Sequence, residues 1–110
     1  MDIQVLKEKI IEDDYIPTIL QELGCHHVSK KATYYQCANP DGDNKTAITV
    51  YINDYITVID YTREISKRET NDIFDLIQFF KDCSFFKAIS NVCKWCNIDY
   101  YQDDEEEIPE

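Results

Sequence analysis

The chain has 110 residues and a net charge of −11, with 44% hydrophobic and 13% aromatic residues but only two glycines and three prolines. That length suits one small domain with a core of its own, and the scarcity of glycine and proline excludes a low-complexity linker. No apolar run approaches the ~20 residues of a membrane helix, and Lys7, Glu8 and Lys9 interrupt any signal-peptide core.

A soluble, cytoplasmic protein without a membrane partner is therefore expected. Five cysteines, an odd number without scaffold spacing, favour reduced thiols in a reducing compartment. The negative charge is uneven: Asp103, Asp104, Glu105, Glu106, Glu107 and Glu110 crowd the last eight positions. Residues 1–101 are read as one domain and 102–110 as an acidic tail or linker.

In residues 2–13, Ile3, Leu6, Ile10 and Ile11 recur at helical spacing. A break follows at Asp13-Asp14, where Asp14 offers a side-chain cap and Pro17 falls in the first turn of a second helix. Ile16, Ile19, Leu20 and Leu23 give that helix one apolar face, and Gly24 stops it. After Cys25-His26-His27, a short strand is predicted over Thr33–Cys37. Asn39-Pro40-Asp41-Gly42-Asp43-Asn44 is a turn-rich loop.

The runs Thr46–Ile52 and Tyr55–Tyr61 organise the chain. Both are rich in Ile, Val, Thr and Tyr, which suit a pleated surface. Ile48, Val50 and Ile52 alternate with Ala47, Thr49 and Tyr51, a period of two. The gap Asn53-Asp54 predicts a β-hairpin with a two-residue turn. Thr62–Glu69 reads as a loop. Thr70 or Asn71 is expected to cap a helix that turns Ile73, Phe74, Ile77 and Phe80 inward, and Ser84 to cap a last helix carrying Phe85, Ile89, Val92, Cys93 and Cys96 on one face. The predicted fold is α+β: a three-stranded antiparallel sheet flanked by N- and C-terminal helices.

These fragments form an ordered series over residues 4–98. Lys30-Lys31, then Tyr34 before Cys37, lead to Lys45-Thr46 entering a strand. The last two helices open Asp72-Ile73-Phe74-Asp75-Leu76 and Ser84-Phe85-Phe86-Lys87-Ala88-Ile89. The series resembles the N-terminal zinc-ribbon domain of bacterial-type replicative DNA primases, in the form carried by phages and mobile elements. Members of that family read Asp-x-Ile-Asp-Phe and Ser-Phe-x-x-Ala-Val at the two helix starts. The resemblance implies a degenerate zinc-ribbon-like fold and a role in DNA replication. It also implies that a catalytic primase domain or a helicase is a partner.

The departure lies at the metal. The family's four ligands are Cys-x2-His and Cys-x2-Cys, a closed tetrahedral set. Here Cys37 keeps the first position, Pro40 stands at the second, and Asp60–Arg63 supplies no cysteine. One ligand in four cannot hold a structural zinc, so no metal and no cofactor are expected. Cys25, His26, His27 and Cys37, with Cys93 and Cys96, are the rival metal set. The i, i+3 spacing of Cys93 and Cys96 late in a helix fits core packing of small hydrophobes better than a metal knuckle or a redox pair. Asp41 and Asp43 beside Gly42 lack the closing Glu of a calcium loop and read as turn residues.

No Ser/His/Asp set, phosphate-binding glycine loop or apolar carboxylate pair is present, so the chain is read as a non-catalytic domain. Lys30, Lys31, Lys45, Arg63, Lys67 and Arg68 are read as a basic edge beside the hairpin tyrosines. Cations neutralise phosphates while aromatic faces stack on unpaired bases. That pattern makes Lys30, Lys31, Lys45, Tyr51, Tyr61 and Arg63 the candidate single-stranded DNA site. A solvated face whose tyrosines complete the core is the plainer alternative. Three functions stay open: a DNA-template-binding module, a metal-free protein-interaction adaptor on the same fold, and an acidic nucleic-acid mimic that inhibits a DNA-binding enzyme. Clustering of the acids in the tail speaks against the mimic.

Overall fold

The computed structural model describes residues 3–99; the 102–110 segment lies outside the described residues. Helix α1 (Ile3–Glu12) buries Leu6 and Ile10 on the expected stripe, and Lys7 with them. The chain turns at Asp14, whose φ of 59° is left-handed, and the Tyr15 amide bonds the Ile10 carbonyl at 2.9 Å. Helix α2 (Ile16–Glu22) begins there with Pro17 in its first turn, but the expected Asp14 cap is not made. Tyr15 occupies the cap position without a side-chain hydrogen bond. The Asp14 carboxylate instead accepts the Tyr35 hydroxyl and pairs with Lys30 at 3.5 Å. Gly24 ends α2 at a φ of 89°, a conformation that glycine adopts without steric cost.

Five strands among the described residues, β1 (His26–Lys30), β2 (Tyr34–Ala38), β3 (Ile48–Tyr51), β4 (Thr57–Asp60) and β5 (Asn71–Asp72), form one antiparallel sheet in chain order. The α+β class holds, while the expected three strands become five. The two additions are the edges, where the sequence signal is weakest. β1 is exposed at four of its five residues, so it shows no alternation. Its register also shifts between His26 and Ser29, where His27 has a φ of 56°. β5 has only two residues and is recruited by pairing with Thr57 and Val58.

The hairpin exists, but its turn is not the two-residue turn predicted. Such a turn at Asn53-Asp54 would set Val50 opposite Thr57, whereas Val50 faces Val58. The extra residue is Ile56, fully buried at a φ of 56°, with its amide bonded to the Asn53 carbonyl at 3.0 Å. A shift of one residue exchanges the faces of a strand. Val58 therefore enters the core at 2% exposure, and Ile59 points outward at 37%.

Helix α3 (Ile73–Lys81) starts one or two residues later than expected. Asp72, not Thr70 or Asn71, is the cap: its carboxylate accepts the Asp75 amide at 3.0 Å, and the Asp75 carboxylate accepts the Asp72 amide at 2.9 Å. This reciprocal pair satisfies two otherwise unpartnered donors. Asn71 is held by its strand pairing and accepts the Ser66 hydroxyl. Helix α4 (Phe85–Cys96) is capped by Ser84 as predicted, through the Lys87 amide at 3.1 Å.

Alternation and register divide the sheet into two faces. Tyr35, Cys37, Ile48, Val50 and Val58 share the inner face and join one core with Leu6, Ile10, Ile19, Leu20, Phe74, Ile77 and Val92 from the helices. Tyr34, Gln36, Thr49, Tyr51 and Ile59 occupy the other face. One ion pair crosses the core: Lys7 donates to Asp72 at 2.8 Å and lies 4.2 Å from the centre of the Tyr55 ring. No helix among the described residues is long and apolar enough to cross a membrane.

Candidate nucleic-acid interface

The outer face is a band of side chains fixed by backbone pairing. Tyr34 stands opposite Tyr51, and their rings meet edge to face with centroids 5.9 Å apart. Gln36, Thr49 and Ile59 cross the middle of the sheet as successive neighbours. The Tyr61 amide bonds the Ala47 carbonyl at 2.8 Å, extending the ladder past β4. Tyr61 is 64% exposed. Tyr51 and Tyr61, the latter opposite Ala47, thus lie towards opposite ends of one face, separated along the strand direction by roughly 13 Å.

The structure distributes the expected cations unequally. Lys31 and Lys45 are exposed, and neither makes an ion pair among the described residues. Lys31 sits in the β1–β2 turn, its amide bonding Tyr34, at the Tyr51 end. Lys45 enters β3 at the Tyr61 end. Lys30 is on the inner side: it stands opposite Tyr35, lies 5.7 Å over that ring and pairs with Asp14. Arg63 also turns inward, bonding Asp41 at 3.1 Å, approaching Asp60 at 3.8 Å and lying 6.0 Å over Phe80. Arg68 donates to Asp75 at 3.2 Å and to the Tyr55 hydroxyl at 2.6 Å. The six proposed site residues are therefore not brought together. Lys31, Lys45, Tyr51 and Tyr61 serve the outer face, while Lys30 and Arg63 tie the sheet to the helical side.

Sequence reasoning missed Tyr34 and Ile59 as members of this face. Both depend on register, so only a known strand pairing could have revealed them. It also missed Asp60, whose side chain is wholly buried at the end of β4. One Asp60 oxygen accepts the Thr62 amide and hydroxyl, while Oδ2 accepts no hydrogen bond from the described residues.

The rival metal residues are also divided. Cys25 and Cys37 are buried, His26 places Nε2 2.8 Å from the Pro40 carbonyl, and His27 is exposed. Among the described residues, no group of three or more His, Cys, Asp or Glu side chains is placed to hold a metal ion. Asp41 and Asp43 are exposed in a turn closed by the Gly42 amide on the Asn39 carbonyl at 3.1 Å.

Cys96 is buried and Cys93 half-buried in the last turn of α4. Burial pushes both thiols up to about 11. At neutral pH the thiolate fraction is then small, so iodoacetamide should label these two cysteines slowly in the native protein. Their labelling rate should rise about tenfold per pH unit, since the thiolate is the nucleophile. Fast labelling of either at pH 7 would contradict their assignment to the core.

These elements define a small α+β domain: an antiparallel meander with helices on one face and tyrosines on the other. No family model, curated protein or solved structure matches the chain.

Proposed function

We propose that this chain is a DNA-template-binding module of the primase kind, which holds single-stranded DNA on the open face of its sheet. The observation that carries the reading is the outer face itself. Tyr34 and Tyr51 offer a ring pair at one end, Tyr61 an exposed ring at the other, and Lys31 and Lys45, which make no ion pair among the described residues, a cation near each. Aromatic faces stack on bases without regard to sequence, and unpaired cations neutralise phosphates. Cations already held by Asp14, Asp41 or Asp60 contribute less, because a phosphate would have to displace a carboxylate. The fragments that resemble primase zinc-ribbon domains support the same ligand.

With two such cations, affinity is expected to be weak and to fall with salt at a log–log slope of about −1 to −2. Tyr61→Ala should weaken binding by about 1–3 kcal/mol, the usual contribution of one stacked base. Lys45→Glu should lower both the affinity and the salt slope, whereas Arg63→Glu mainly disturbs the Asp41 and Asp60 contacts. Removing residues 102–110 should strengthen binding, since six carboxylates no longer repel phosphates. The test is a low-salt titration of tail-deleted protein with a labelled oligonucleotide. Absence of binding there, or equal binding by the Tyr61→Ala and Lys45→Glu variants, would refute the template role.

A second reading rests on a different surface. Phe79, Phe85 and Phe86 are 38%, 39% and 50% exposed on α3 and α4, with Phe79 edge to face on Phe80 and Phe86 on Phe85. Exposed apolar clusters of this kind serve protein contacts, which favours the adaptor. Failure of DNA binding together with loss of a replication-protein contact on Phe86→Ser would select it.

A further inference from the structure

The cysteine just before β1 and the last inner-face residue of β2 form a pair of their own. His26 stands opposite Ala38, so the residues preceding each, Cys25 and Cys37, project to the same side of the sheet. Such diagonal residues are neighbours on that face. Both are buried, at 7% and 0% exposure, and their thiols are close enough to share a hydrogen bond. That bond favours the Cys25 thiolate more than burial and the nearby Asp60 charge oppose it, and Cys25 is held below its ordinary range. Cys37 is driven the other way by the same bond, by burial and by Asp60.

Access distinguishes the two sulfurs. Cys25 lines an open surface cleft of about 850 Å³ with His26, His27, Pro40, Asp41, Gly42 and Asp43. Cys37 does not reach it. One cysteine thus borders the cleft and the other lies behind it.

We propose that Cys25 and Cys37 form a thiol–disulfide exchange site, whose co-substrate is a small disulfide of the glutathione class entering by this cleft. The Cys25 thiolate attacks one sulfur of the small disulfide, making a mixed disulfide and releasing one small thiolate, which takes up the proton that Cys25 gave. The Cys37 sulfur then attacks Cys25, expelling the second small thiol with the Cys37 proton. The protein loses two hydrogens and two electrons, and the small disulfide gains them as two thiols. The product bond joins the start of β1 to β2 beneath Asp60, whose charge repels a thiolate but not a neutral disulfide.

The experiment treats the full-length protein with oxidised glutathione at pH 8 and reads intact mass and peptide maps. The expected result is loss of two hydrogens, with Cys25 and Cys37 in one cross-linked peptide pair, unchanged in a Cys93→Ser/Cys96→Ser variant. Cys37→Ala should trap one glutathionyl group on Cys25, and Cys25→Ala should carry none at Cys37. Because the wild-type map needs no variant, a folding defect in either substitution leaves the test intact. An unchanged mass, a cross-link between other cysteines, or an adduct on Cys37 before Cys25 would overturn the proposal.

Discussion

Replacing Lys7 by alanine is expected to destabilise the protein by about 3–5 kcal/mol, the usual cost of stranding one partner of a buried ion pair. The pair is buried on both sides, at 5% and 9% side-chain exposure, and closes at 2.8 Å. Asp72 also caps α3 through its other oxygen, so one carboxylate joins α1, β5 and α3. The cap and the charge can be separated. Asp72→Asn keeps a good capping residue but removes the charge, and should cost nearly as much as Lys7→Ala. The double variant Lys7→Met/Asp72→Asn should recover most of that loss, since neither side then holds an unpaired buried charge. Urea unfolding of the four proteins measures all three effects. A loss below 1 kcal/mol in Lys7→Ala would mean that the pair does not anchor α1.

Ile56 should give the second large effect, with an inverted preference between small replacements. Its side chain is wholly buried, so Ile56→Ala should cost about 2–5 kcal/mol. Its φ of 56° is costly for any residue with a Cβ, by about 1–2 kcal/mol. Glycine is normally worse than alanine in a regular element by about 0.5–1 kcal/mol; here Ile56→Gly should be at least as stable as Ile56→Ala. The same urea series reads it. A clearly less stable glycine variant would show that Ile56 leaves the left-handed conformation in solution.

Ile56 also marks where sequence reading stopped. A β-branched residue carries no signal for positive φ, so the pattern predicts a tight turn at Asn53-Asp54, whose register would turn Ile59 inward. The buried side chain of Ile56 compensates for its backbone, and that compensation exists only once the helices are in place. The same logic applies to the site. Tyr51, Tyr61, Lys31 and Lys45 were legible as chemistry, but nothing local distinguished them from Lys30 and Arg63. The distinction came from the carboxylates of Asp14 and Asp41, which are distant in sequence from Lys30 and Arg63 and adjacent to them only in the folded chain.

The sequence by itself determined the helices, their ends at Gly24 and Ser84, and a central hairpin. Each rests on contacts within a few residues, where spacing of apolar groups and capping chemistry suffice. Tertiary structure alone decided the edge strands β1 and β5, the register of β4, the buried Lys7–Asp72 pair and the facing thiols of Cys25 and Cys37. Polar or two-residue strands have no pattern of their own; they form because a neighbouring strand presents unpaired backbone groups. A lysine in α1 and an aspartate 65 residues later are separately unremarkable charges, and burial makes them one interaction.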